Sequence, residues 1–64
     1  MESDAEYFAR RASQETAAAD QAADAKVQTA HLQMAERYRD LARAIEKTDR
    51  RLGVVRAIRR LFER

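Results

Sequence analysis

Val27, His31, Met34, Tyr38, Leu41, Ile45, Thr48 and Leu52 follow one another at spacings of 4, 3, 4, 3, 4, 3 and 4. This is a heptad seam held over more than three repeats, and only an α-helix brings residues so spaced onto one side. It predicts a long helix over about residues 25–52. Elsewhere no strand-length stretch alternates apolar with polar residues, so a sheet has no face to build on. The chain has no Pro, one Gly and 14 Ala, and most of the rest are Arg, Glu, Gln, Leu and Lys. These are strong helix formers, so the fold class is all-α.

A first helix is predicted over about residues 4–23. Ser3-x-x-Glu6 forms a capping box at its start: the Ser hydroxyl takes the Glu6 amide while the Glu6 carboxylate reaches back. Ala5, Ala9, Ala12, Thr16, Ala19 and Ala23 then line one narrow stripe, with Phe8 beside it. Side chains this small let another helix approach closely. The end of the helix is less sharply written. No Gly or Pro interrupts Ala22-Ala23-Asp24-Ala25-Lys26, yet Asp24 is a good N-cap that would close one helix and open the next. One uninterrupted helix is the competing reading.

A set of short motifs bears on that choice: Tyr7-Phe8, Arg10-Arg11-Ala12, Glu15, Ala22-Ala23-Asp24, Ala30-His31-Leu32, Ala35, Tyr38 and Leu41-Ala42. Over about residues 4–44 this pattern resembles the short, uncharacterised α-helical proteins of alphaproteobacteria. Proteins of that kind often carry Asp-Pro where this chain has Asp24-Ala25, and Pro suits the first turn of a new helix. The resemblance implies a helical hairpin and no activity. Ala25 and the basic tail depart from the pattern.

With 64 residues, the chain is expected to be a single small helical domain spanning 1–64. A compact chain of this size buries only about 60% of its unfolded surface, so stability is marginal and self-association or a partner is expected. Bulky seam residues facing the alanine stripe would leave surplus apolar edge for a second copy. An antiparallel dimeric helical bundle follows, with Val27, His31, Met34, Tyr38, Leu41 and Ile45 as the self-association seam. Glu6/Arg10 and Glu46/Arg50 are expected to pair at i, i+4.

No Ser-His-Asp set, glycine-rich phosphate loop or cysteine is present, so catalytic, cofactor-binding and metal residues are all read as none. His31 sits on the seam without an acid or Cys at i±3 or i±4, and reads as a core or boundary imidazole. The N-terminal Met-Glu-Ser-Asp lacks the basic and apolar regions of a secretory signal, and no apolar run approaches the ~20 residues of a bilayer span. A cytoplasmic protein is expected.

The charge is unevenly spread. Residues 1–46 hold six Lys/Arg against nine acids and residues 47–64 hold seven against two, so the two stretches carry −3 and +5. Gly53 stands at a position suited to ending the second helix. Beyond it a short basic amphipathic helix is predicted over about 54–63, with Val54, Val55, Ile58, Leu61 and Phe62 on one face and Arg56, Arg59, Arg60 and Arg64 on the rest. If the chain bends at Gly53 this helix packs back on the hairpin. If it runs straight, its apolar face points about 140° away from the heptad seam and is offered to something else.

Two binding uses follow. Val54, Ile58, Leu61 and Phe62 can anchor in a groove of a partner protein. Alternatively Arg50, Arg51, Arg56, Arg59 and Arg60 can meet nucleic acid or an anionic membrane surface. A net charge of only +2 argues against a dedicated nucleic-acid reader. The expected function is that of a small non-catalytic interaction protein, binding a protein partner and/or itself.

Overall fold

The Ser3 hydroxyl accepts the Glu6 amide at 3.1 Å and opens the first helix, α1, Asp4–Gln21. The Glu6 carboxylate does not complete the reciprocal half of the box, and Arg10 binds Glu2 through two contacts of 2.9 and 3.2 Å instead of pairing with Glu6. The computed structural model describes residues 1–63. Among these are two helices and no strand, an all-α helical hairpin.

α1 ends at Ala22, which turns extended (φ −73°, ψ 128°) while its amide still reaches the Ala19 carbonyl at 3.2 Å. Asp24 then caps the second helix, α2, Ala25–Phe62, by accepting the Lys26 amide at 2.7 Å. No residue of the link has positive φ, which is why the reversal needs no Gly. Nested contacts show the two helices to be antiparallel: Glu15 meets His31 and, further from the turn, Phe8 stacks on Tyr38 with ring centroids 5.9 Å apart.

The seam between the helices departs from the expected one. Its buried residues are Ala12 and Ala19 from α1, Ala35 and Ala42 from α2, and the carboxylate-bearing Glu15. Ala5 and Phe8 on α1, Ala22 at its C-cap, and His31, Tyr38 and Ile45 on α2 flank them. Ala9 and Ala23 are exposed, so the α1 stripe is rotated toward Phe8 and Glu15. On α2, His31, Tyr38 and Ile45 do line the contact, whereas Val27, Met34, Leu41, Thr48 and Leu52 are exposed. The physical reason is size. Alanine against alanine brings the backbones close, and bulky branched or long side chains then fit only at the edges of the seam.

The break at Gly53 is also absent. α2 passes through it as one helix of 38 residues, so no separate helix forms over 54–63. A Cβ added at Gly53 would meet nothing within 4 Å, so no neighbour forces a bend there. Glycine costs a helix interior about 1 kcal/mol, less than breaking a hydrogen-bonded ladder and nucleating a new helix after it. Ile45 is the last half-buried residue of α2, and residues 46–63 are exposed throughout. The end of α2 therefore overhangs the hairpin by roughly 25 Å at 1.5 Å per residue. The whole molecule extends 62 Å, with a radius of gyration of 17.2 Å, against about 11 Å for a compact chain of this length.

Candidate interaction surface

The overhang presents two kinds of side chain, and helix geometry sorts them. Val54, Val55, Ile58, Leu61 and Phe62 are all exposed, Leu61 at 73% and Phe62 at 83%. Because α2 does not bend, the face these residues form is centred ~150° around the helix from the alanine seam, its members lying ~90° to ~170° away at ~100° per residue. They cannot fold back on α1. Arg50, Arg51, Arg56, Arg59 and Arg60 occupy the same segment and are exposed too. Arg59 reaches Glu63 at 4.0 Å, while the expected Glu46/Arg50 pair does not form among the described residues. Arg64 lies outside the described residues. Lys47, Arg50 and Arg51 border a shallow apolar patch floored by Val54 and Val55.

A second exposed feature continues this one toward the turn. Val27, Met34, Leu41, Thr48, Val55 and Phe62 recur every seven residues along the full length of α2, and all six are exposed. Met34 and Leu41, with Arg37 and Tyr38, line a shallow hollow beside the hairpin seam. A strict seven-residue repeat drifts by ~20° per heptad on a straight helix, so the ridge winds from the edge of the alanine seam to the far side of the overhang. A helix laid along it must supercoil left-handedly to stay in contact.

Of the six residues expected to form a self-association seam, His31, Tyr38 and Ile45 are therefore engaged within the hairpin, and Val27, Met34 and Leu41 remain outward. The engagement of His31 is with residues not foreseen. Its Nδ1 lies 2.5 Å from Glu15 Oε2, and the Arg11 guanidinium lies 2.9 Å from Glu15 Oε1. The same guanidinium sits 5.2 Å above the centre of the Tyr38 ring, and Gln14 also binds Arg11. Glu15 is only 7% exposed, yet the hydrogen bond to His31, helped by Arg11, holds its carboxyl below the usual carboxylate range. This cluster ties the helices in register. Its signal was present in the sequence: Glu15 and His31 stand eight residues either side of Ala23, as Phe8 and Tyr38 stand fifteen either side. Folding the chain about that point pairs both sets, whereas a search at i±3 and i±4 misses them.

Among the described residues, no three His, Asp or Glu side chains gather as a metal-holding group, and no helix is long and apolar enough to cross a membrane. Comparison of the chain with protein-family models, curated proteins and solved structures returned no match.

Proposed function

We propose that this chain is a small, non-catalytic, cytoplasmic interaction protein that acts by binding a protein partner and/or itself through α2. The observation that carries this reading is the overhang: a continuous, exposed, arginine-rich helical end with an apolar face that its own hairpin does not cover. A helix end held out with large apolar side chains in solvent is the form of a docking element. Truncation after Gly53, followed by circular dichroism and sedimentation, tests it. The reading expects the shortened chain to lose its association or its bound partner. An unchanged sedimentation profile together with an unchanged set of ligands would refute it.

A second reading draws on the five exposed arginines, which suit contacts to nucleic-acid phosphates or an anionic membrane surface. It expects affinity for nucleic acid that falls steeply with salt, with a slope that shrinks when arginines are removed. Failure to retain the chain on DNA, RNA or anionic vesicles at low salt would eliminate it.

A further inference from the structure

We infer that the occupant of the α2 ridge is a second copy of this chain, its α2 antiparallel to the first, so that the overhang of each lies along the hairpin of the other. This rests on the interaction reading above and names the partner.

The ridge is self-complementary. Turned end for end, Val27 of one copy falls opposite Phe62 of the other, Met34 opposite Val55, and Leu41 opposite Thr48, all in a single register. A two-fold interface uses the same patch on both subunits, and an antiparallel pair of equal ridges meets that condition without a further partner. Lengths agree as well. The overhang, residues 46–62, has nearly the length of the 18-residue α1 beside which it would come to rest.

Charge selects the direction. Residues 1–24, which contain α1, hold two Lys/Arg against six acids, a charge of −4, and residues 47–64 carry +5. The antiparallel arrangement sets each basic end beside an acidic hairpin. A parallel one would set the two basic ends against each other, and like charges at that spacing repel.

Area supports a constitutive contact. The chain exposes 5571 Å², whereas a compact monomer of 7.4 kDa exposes about 4,200 Å². The excess, ~1,400 Å² per chain, falls within the share each subunit buries in an obligate homodimer. Four alanines and one glutamate are the only buried residues among those described, and no large side chain is fully buried. A core this thin calls for a cover present whenever the chain folds, and a second copy is always available.

The test uses the full chain, which has no native cysteine, in sedimentation equilibrium and disulfide trapping. The wild type is expected at twice the monomer mass, and Leu41→Glu is expected to raise the dissociation concentration by roughly a hundredfold or more. Ala44→Cys, next to the expected two-fold axis, should cross-link to itself. Val55→Cys should cross-link to a copy carrying Met34→Cys and not to itself. Efficient self-linking of Val55→Cys would overturn the antiparallel register. A wild-type chain that is monomeric and fully helical at high concentration would overturn the second copy altogether. If that monomer bound a different helical protein through the overhang, the interaction reading would survive without this proposal; if it bound only DNA, RNA or anionic vesicles, the second reading would replace both. If it bound none of them, both would fall.

Discussion

At the scale of single residues, the hairpin depends on one carboxylate more than its alanine-rich composition suggests. Glu15 is held by His31 and Arg11, and its proton is released more readily in the folded chain than in the unfolded one. The unfolded state therefore binds more protons in this window, so stability rises with pH through it. The contribution is complete above about pH 4.5 and is lost as pH falls below that value. Denaturation followed at pH 3 and pH 6 should show this acid loss in the wild type and a weaker one in Glu15→Gln; equal slopes would mean that the cluster adds nothing. The alanines make a complementary prediction. Ala12→Leu adds bulk in the buried seam between the helices and should cost about 1–3 kcal/mol. An unchanged urea midpoint would show that the helices do not pack closely there.

At the scale of elements, α2 is one helix because nothing near Gly53 favours a break. Gly53→Ala should raise stability by about 0.5–1 kcal/mol and increase the helical signal, since alanine fits the helix and limits the unfolded chain. A loss would indicate that the helix bends at this point in solution. The other end of α2 relies on Asp24, whose side chain accepts the Lys26 amide. Asp24→Ala should cost about 1 kcal/mol in thermal or urea unfolding, as losing a cap does. Both helix starts were legible from the cap residues Ser3 and Asp24, because capping is local chemistry. The continuity at Gly53 was not. A lone glycine suits a helix C-terminus, but only the absence of anything to turn toward decides that it stays helical.

At the scale of the whole molecule, a 62 Å rod with a thin alanine seam and an uncovered end is poorly stabilised by its own contacts. If association completes it, the melting temperature should climb with protein concentration, as binding to the folded state requires. A midpoint that is constant over a hundredfold dilution series would mean that the hairpin is self-sufficient.

The amino-acid order alone determined that this chain is helical and that its cationic residues gather at one end, and through the Asp24 cap it favoured a reversal there over one uninterrupted helix, since caps, periodicity and charge are local properties. Only the tertiary structure decided which face of each helix meets the other. The heptad pattern named His31, Tyr38 and Ile45 together with Val27, Met34 and Leu41 as one seam, and a seam this wide admits more than one rotation. The close approach permitted by Ala12, Ala19, Ala35 and Ala42, and the reach of Glu15 to His31, selected one of them and left the other half of the seam facing solvent.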